Sequence, residues 1–216
     1  MSEILVIIGA GGHAKVIIDA LNLNTFLKVV IIDPYAKSEN LLGIPIYDRL
    51  SSNYEHVPKK YIVAIGDNYK RWQVVQALLE ADQETKFYTS IHETAVVSNE
   101  AFVGAGSVIC AGAIVGADSK IGSHVIINTR SVVDHDCAIG NYANISPNVI
   151  LGGGVEVGNR SFIGISTTVL HTVKIACDVV LGADSFLNRN VEKASSVWFG
   201  RPAKFIRWRE NNDPYL

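Results

Sequence analysis

The chain carries two different patterns of hydrophobic positions, and the change between them falls near residue 90. In the first part, short aliphatic runs alternate with stretches in which apolar residues recur three and four positions apart. The runs predict buried strands and the stretches predict amphipathic helices. Strands and helices in alternation favour a small parallel sheet of the Rossmann type.

Three strands and two helices are predicted in this first part. The strands are Ile4–Ile8, Val29–Ile32 and Tyr61–Ile65, and turn residues follow each of them. One helix is predicted directly after Gly12, and a second over Arg71–Ala81, where Trp72, Val75, Leu78 and Leu79 share a face.

From Ile91 onward, an aliphatic residue returns every six positions. A period of six fits no α-helix but fits a short strand plus a turn, so three such hexads predict one triangular coil, and stacked coils predict a parallel β-helix. A small or β-branched residue stands four positions after each aliphatic one, and glycine often follows it directly. We expect the aliphatic side chains inside the prism and the glycines at corners with positive φ. The aliphatic series is Ile91, Val97, Val103, Ile109, Val115, Ile121, Ile127, Val133, Ile139, Ile145, Leu151, Val157, Ile163, Val169, Ile175, Leu181 and Leu187.

Together the two patterns predict a Rossmann-like α/β domain over residues 1–85, a β-helix over 86–195 and a C-terminal tail over 196–216. The composition is compatible with a sizeable core, since 48% of the 216 residues are hydrophobic and 19% are charged. A net charge of −2 without a basic run argues against a nucleic-acid partner.

The sequence gives no sign of export or of a membrane span. The N-terminus lacks a basic segment and a cleavage pattern, so no signal peptide is expected, and no apolar stretch approaches the roughly 20 residues of a membrane helix. The three cysteines, Cys110, Cys137 and Cys177, show no C-x-x-C spacing. We therefore expect a soluble cytoplasmic protein without disulfides or a structural zinc site.

The stretch Asp134-His135-Asp136 interrupts the repeat with candidate chemistry. His135 follows the inward Val133 by two residues and should point outward from a corner. A neutral imidazole can take the proton from an amine that attacks a thioester near neutral pH. A carboxylate on the other ring nitrogen would fix the tautomer, and both Asp134 and Asp136 are candidates for it. A solvated triplet on a surface turn is the alternative.

Two glycine-rich stretches are further candidates. Gly153 follows His135 by three hexads, or one full coil, so it should sit directly above it, where its N–H could hold the thioester oxygen; an ordinary corner glycine is the alternative. Gly9–His13 follows the first strand and opens a helix, so its N–H groups could cradle a pyrophosphate. The spacing is not G-x-G-x-x-G, because residue 14 is alanine, and a tight turn is the alternative.

Five segments carry a resemblance to a known family: IIGAGGHAKVI, VAIGDNYKR, SIHETAVVS, NTRSVVDHDCAIGNYANISPN and FGRPAK. The chain resembles the hexapeptide-repeat acyltransferases, and among them the bacterial nucleotide-sugar N-acetyltransferases and their sialic-acid O-acetyltransferase relatives. The resemblance implies a left-handed β-helix, acetyl-CoA as co-substrate, no metal, and a UDP-linked 4-amino-6-deoxy sugar as acceptor. It also implies a homotrimer with active sites between subunits.

The resemblance implies roles for single residues as well. It makes His135 the general base and Asp136 its acidic partner. The positions matched to acetyl-CoA binding are Asn144, Gly153, Ile165, Gly182, Ala183, Arg201 and Lys204. Those matched to nucleotide-sugar binding are Gly11, Gly12, His13, Lys15, Asp33, Gly66, Asn68 and Asn128. Some relatives have histidine where this chain has Asn144, and because asparagine does not titrate, a two-histidine mechanism is in doubt here.

Other functions compete with amine acetylation. O-acetylation of a sugar or sialic acid and a non-catalytic sugar-nucleotide-binding trimer both remain open. A zinc hydratase built on His135 and His171 is disfavoured, because two coils span about 10 Å and Zn–N bonds are near 2.1 Å. A nicotinamide dehydrogenase is disfavoured by the short first domain and its incomplete glycine fingerprint. Direct transfer without an acyl-enzyme is expected, since no outward serine or cysteine is paired with His135.

Overall fold

A computed structural model describes residues 3–54, 56–210 and 213. The first domain is a five-stranded sheet in the order β3-β4-β2-β1-β5, parallel except for the pair β3 and β4. Its elements are β1 Ile4–Ile8, α1 Gly12–Asp19, a 3₁₀ turn Leu23–Thr25, β2 Lys28–Ile32, β3 Asn40–Leu41, β4 Ile44–Tyr47, a 3₁₀ turn Ser52–Tyr54, β5 Lys59–Val63 and α2 Asn68–Ala81.

The second helix begins earlier than the sequence pattern predicted. Helix α2 starts at Asn68 rather than Arg71, because the Asp67 side chain accepts a hydrogen bond of 2.8 Å from the Lys70 N–H. An aspartate at this position satisfies an otherwise unpaired donor in the first helical turn. The shift brings Asn68 and Arg71 into the first turn of α2, which faces the β-helix.

Residues 90–187, all of which are described, form seventeen two-residue strands. Each strand pairs in parallel with the strand three places later in the chain, so the column has three faces. The first face contains β6 Ser90–Ile91, β9 Val108–Ile109, β12 Ile126–Ile127, β15 Asn144–Ile145, β18 Phe162–Ile163 and β21 Val180–Leu181. The second contains β7 Val96–Val97, β10 Ile114–Val115, β13 Val132–Val133, β16 Ile150–Leu151, β19 Thr168–Val169 and β22 Phe186–Leu187. The third contains β8 Phe102–Val103, β11 Lys120–Ile121, β14 Ala138–Ile139, β17 Glu156–Val157 and β20 Lys174–Ile175. The predicted fold class, a Rossmann-like domain followed by a hexapeptide-repeat β-helix, is confirmed.

The interior of the column follows the predicted aliphatic series, except at its start. From Ile109 to Leu187 the aliphatic residues of the series are buried, whereas Ile91 is 45% exposed because it lies in the first, uncovered coil. The small position is often serine, yet it is satisfied: the buried Ser119 hydroxyl donates to the Asp134 carbonyl of the next coil and accepts from the Cys137 N–H. A paired hydroxyl fits an apolar interior at little cost.

The prediction that the corner glycines have positive φ was wrong, although glycine is required there for another reason. Glycines that follow the aliphatic position, such as Gly116 and Gly140, do not have positive φ. A side chain there would collide with the next coil, since a Cβ on Gly140 would lie 2.6 Å from the Asn159 nitrogen. The positive φ falls two residues later, mostly on residues other than glycine, among them Asp118, His124, Arg130, Asp136, Tyr142 and Arg160.

A hairpin closes the far end of the column. Strand β23 (Ser196–Gly200) pairs in parallel with β21, and β24 (Ala203–Trp208) pairs antiparallel with β23, so both extend the first face. Of the predicted tail, residues 211–212 and 214–216 lie outside the described residues. Within the described part of the chain, no helix has the length and apolar character needed to cross a membrane.

Candidate active site

His135 lies on the edge between the second and third faces, where the corner following β13 turns towards β14. Its Nδ1 is 2.6 Å from Asp136 Oδ2, and both side chains are more than half exposed. This hydrogen bond, and then the charge of Asp134, raise the pKa of His135 above its ordinary value. The Asp134 carboxylate instead binds the backbone, since its Oδ1 accepts the His135 N–H at 2.8 Å. The pair leaves Nε2 as the ring atom that faces away from Asp136.

Gly153 covers the imidazole from the next coil, as its position one full coil after His135 predicts. A Cβ on Gly153 would lie 2.6 Å from both Nε2 and Cε1 of His135, so a side chain there would displace the ring. The Gly154 N–H donates to the His135 carbonyl at 2.9 Å, and the Gly153 carbonyl accepts from Thr172. Among the described residues, none accepts a hydrogen bond from the Gly153 N–H.

The first domain holds a cleft of about 700 Å³ at the carboxyl ends of β1, β2 and β5. Five residues predicted to bind the nucleotide sugar line it: Gly11, Gly12, His13, Asp33 and Gly66. The carboxylate of Asp33 shapes the cleft, because Oδ2 accepts from the Ala10 N–H at 2.8 Å and Oδ1 from the Tyr35 N–H at 2.9 Å. The predicted Lys15 is exposed on α1 and is not part of this lining.

His13 is neutral in this cleft at physiological pH. Burial, and then the nearby charge of Arg71, lower its pKa from the ordinary 6.5 to about 4. Its Nε2 is buried and has no hydrogen-bond partner among the described residues. His13 therefore contributes no positive charge to the cleft.

Lys70 brings an ammonium group to the same cleft, and the sequence pattern did not single it out. It lines the cleft from the first turn of α2, together with Gln73 and Val74. Lys70 could have been predicted from its place in the segment VAIGDNYKR. This segment follows β5, and residues there lie at the carboxyl edge of the parallel sheet, where ligands bind.

Asn68 and Asn144 lie in the joint between the two domains rather than beside His135. Asn68 is 1% exposed, and its Nδ2 donates to the Arg160 and Ser161 carbonyls at 3.0 and 3.1 Å. Asn144 is 6% exposed on the first face, with Nδ2 at 3.5 Å from the Gly66 carbonyl. Each amide thus joins the first domain to the column.

The remaining residues predicted to bind acetyl-CoA lie on or next to the edge between the first and second faces. Ile165 is 52% exposed there, and Ala183 follows it by one coil. Gly182 lies under the Phe199 ring, and Arg201 binds Asp184 of the same edge at 2.7 Å. Lys204 is exposed on β24, which continues the first face. Asn128, predicted to contact the sugar, also lies on this edge, where its Oδ1 accepts from Thr129.

In a single chain, the predicted residues are therefore spread over three different edges of the column. The cleft of the first domain is attached to the edge between the third and first faces, through Tyr142 and Arg160. His135 and the acetyl-CoA positions border the second face on opposite sides. The outward row of that face is apolar except for Thr168, and its exposed members include Val96 at 62%, Ile114 at 42% and Ile150 at 47%.

No group of three or more metal-ligating side chains occurs among the described residues. His171 does lie on the His135 edge, since a Cβ on Gly152 would meet its backbone nitrogen at 2.9 Å. His124 is 4% exposed in the domain joint, stacked on Tyr142 with ring centroids 5.2 Å apart. Cys137 is buried in the hydrophobic interior of the column.

Comparison with known families covers both halves of the chain. Residues 4–78 match the PglD N-terminal domain, and residues 118–153 match the bacterial transferase hexapeptide (six repeats). A curated relative is the UDP-N-acetylbacillosamine N-acetyltransferase of Bacillus subtilis (strain 168), 34% identical over 112 residues. That match spans 49% of this chain and only half of the relative's length.

Solved structures resemble almost the whole chain. The acetyltransferase domain of PglB from Neisseria gonorrhoeae FA1090, in complex with acetyl coenzyme A, is 31% identical, with a TM-score of 0.84. The match covers 94% of this chain and 98% of that one. PerB from Caulobacter crescentus, in complex with CoA and GDP-perosamine, is 36% identical, with a TM-score of 0.82 and coverage of 94% and 97%.

Proposed function

Since this chain belongs to the hexapeptide-repeat nucleotide-sugar acetyltransferases, we propose that it transfers the acetyl group of acetyl-CoA to the amine of a nucleotide-linked amino sugar. The observation that carries the proposal is the His135–Asp136 pair on a rigid corner, capped by the bare backbone of Gly153. A general base acts well only when the protein holds it in a fixed position relative to the substrate, and a corner of the β-helix provides this. The sugar we propose is a UDP-linked 4-amino-6-deoxy sugar.

In the proposed reaction, His135 Nε2 takes a proton from the sugar amine as its nitrogen attacks the thioester carbon. Asp136 accepts the Nδ1–H and so holds the tautomer whose Nε2 is free. The Gly153 N–H would stabilise the oxyanion of the tetrahedral intermediate. Collapse breaks the C–S bond, and the proton on His135 passes to the departing thiolate. The amide and free CoA leave without an acyl-enzyme.

The cleft of the first domain supports nucleotide binding. The N–H groups at the start of α1 and the Lys70 ammonium would face the diphosphate, while neutral His13 would supply a hydrogen bond. The Asp33 carboxylate, held by the Ala10 and Tyr35 N–H groups, would border the nucleoside.

Assembly as a homotrimer would bring the three edges together. The exposed apolar row of the second face, with Val96, Ile114 and Ile150, is a surface that packing of a second copy would bury. Such packing would bring the His135 edge of one subunit close to the edges of a neighbouring subunit that carry the cleft and the predicted acetyl-CoA positions. The three cysteines are unpaired thiols, which fits a reducing cytoplasm as the site of the reaction.

The test incubates the purified chain with acetyl-CoA and a panel of UDP- and GDP-linked amino sugars, and follows free thiol and product mass. We expect thiol release and a gain of one acetyl group with a UDP-linked amine. A product whose acetyl group is removed by hydroxylamine would instead indicate O-acetylation. Nucleotide binding without thiol release on any acceptor would overturn the enzyme and favour a non-catalytic binding trimer.

A further inference from the structure

Arg71 is buried in the joint between the two domains, with 1% of its surface exposed. Its guanidinium donates to carbonyls on both sides of that joint. On the side of the first domain, Nη1 reaches the carbonyls of Ile65 at 2.8 Å and Gly66 at 3.0 Å, which border the nucleotide cleft. The planar fork of arginine suits a site with several fixed acceptors.

On the column side, Arg71 donates hydrogen bonds to two successive coils. Nε donates to the His124 carbonyl at 3.0 Å, and Nη2 donates to the Tyr142 carbonyl at 2.8 Å. Nη2 also binds Asn68 Oδ1 at 2.9 Å, and the Asn68 amide continues to the Arg160 carbonyl on a third coil. The first turn of α2 therefore spans the three consecutive coils that contain these carbonyls.

The carbonyls that accept these bonds share one backbone conformation. His124, Tyr142 and Arg160 occupy the same corner of three successive coils, and their φ angles are 56°, 61° and 56°. Their N–H groups bind the preceding coil, as in the bond from Tyr142 to the Ser123 carbonyl. The corner carbonyls thus form a ladder with a spacing of about 4.8 Å along the column. Arg71 binds the His124 and Tyr142 carbonyls of this ladder, and Asn68 binds the Arg160 carbonyl.

We propose that Arg71, assisted by Asn68, is a positioning residue that sets the height of the nucleotide cleft on the column. Tyr142, the middle of the three carbonyl residues, lies on the same coil of the column as His135 and follows it by seven residues. A rotation axis parallel to the column leaves height unchanged. In the trimer of the proposed function, on which this inference rests, each cleft then lies level with the His135 of a neighbouring subunit.

The test compares Arg71→Lys and Asn68→Ala with wild type, with Arg49→Lys in the first domain as a matched control. Lysine keeps the positive charge but lacks the planar guanidinium that donates several hydrogen bonds at once. We expect Arg71→Lys to fold and assemble, to bind UDP within about threefold of wild type, and to lose roughly ten- to a hundredfold in kcat. The KM for acetyl-CoA and the pH of half-maximal rate should stay unchanged, and Asn68→Ala should show a smaller loss.

A second readout keeps the two proposals separate. Amide hydrogen exchange over residues 65–71 should be faster in Arg71→Lys, whether or not the chain is an enzyme. A wild type inactive on every amino sugar would defeat the proposed function alone. A folded Arg71→Lys with wild-type kcat, or with unchanged exchange over 65–71, would overturn the positioning role. If Arg71→Lys lost UDP affinity by the same factor as kcat, Arg71 would act on the shape of the cleft and not on its height on the column, which would also overturn the positioning role.

Discussion

His135 Nδ1 lies 2.6 Å from Asp136 Oδ2, although side chains of adjacent strand residues point to opposite sides. The left-handed backbone of Asp136, with φ of 58°, turns its carboxylate back onto the ring. Aspartate is one of the few residues that enter this conformation readily. The corner that ends β13 therefore creates the pair, and Asp134 is left to hold the backbone N–H.

Replacing His135 by alanine should abolish most acetyl transfer without harming the fold. The side chain is more than half exposed, so its removal leaves no cavity in the column. Loss of a general base lowers kcat by about 10²–10⁴-fold. The measurement is thiol release from acetyl-CoA, with circular dichroism and sedimentation as checks of folding and assembly. Unchanged transfer in a folded variant would rule out His135 as the base.

Replacing Asp136 by asparagine should shift the pH profile to lower pH and lower the plateau rate. Asp136 is the main cause of the raised pKa of His135, and a base acts only when neutral, so the rate rises with pH through that pKa. Without the carboxylate the pKa falls, and the rate rises at lower pH. The plateau falls because the base is weaker and its ring less constrained. The pH dependence of kcat checks this, with Asp134→Asn expected to shift it less.

Replacing Gly153 by alanine should impair catalysis more than stability. The backbone of Gly153 is outside the left-handed region, so alanine fits the chain itself. Its Cβ would lie 2.6 Å from the His135 ring and force the ring to move. A misplaced base costs roughly tenfold or more in kcat. The comparison is between kcat and the thermal midpoint, and a variant with wild-type kcat would show that the ring tolerates displacement.

Much of the column could be predicted from the sequence because its period is local. Each aliphatic position repeats one environment, so Val133 and Ile139 were assignable without knowing the rest of the fold. Ile91 failed because burial also needs a neighbouring coil, which the first position lacks. The glycines were located correctly, but their cause, a close approach between coils such as Gly140 on Asn159, depends on contacts from one coil to the next.

The joint between the domains could not be predicted in the same way. Arg71 was expected only as the start of a helix, whereas its partner Tyr142 is 71 residues away. No period links the two positions. Asn68 and Asn144 were assigned to substrates from resemblance alone, and the structure shows how the fold uses their amides. Polar contacts between domains are set by tertiary geometry, which sequence patterns do not encode.

Acid should weaken the joint through His124. Burial, and then Arg71, lower its pKa from 6.5 to about 4, so the unfolded chain takes up a proton before the folded one does. Stability is then full above pH 6.5 and is lost as pH falls towards 4, by about 3 kcal/mol for this group. Urea unfolding at pH 7 and pH 4.5 should show a smaller loss in His124→Phe than in wild type. An equal loss in both would exclude His124, and His171→Gln serves as the exposed control.

Mixed subunits should reveal a composite site. His135→Ala lacks the base, and Asp33→Ala lacks the carboxylate that holds the Ala10 and Tyr35 N–H groups of the cleft. If neighbouring subunits supply these parts, refolding the two variants together creates sites with both intact. We expect activity well above the sum of the separate variants. Activity equal to that sum would place the whole site within one chain.

The pairing of each strand with the strand one coil later has a consequence for changes in chain length. An insertion of a whole coil beyond Leu187 would lengthen the column and leave every earlier edge in phase. An insertion of a single hexad would preserve the hydrophobic pattern, yet it would turn all later residues by a third of a circle. Inserted between Tyr142 and Ile165, it would carry Ile165 from its own edge onto the edge of His135. Related proteins should therefore differ in this region by complete coils.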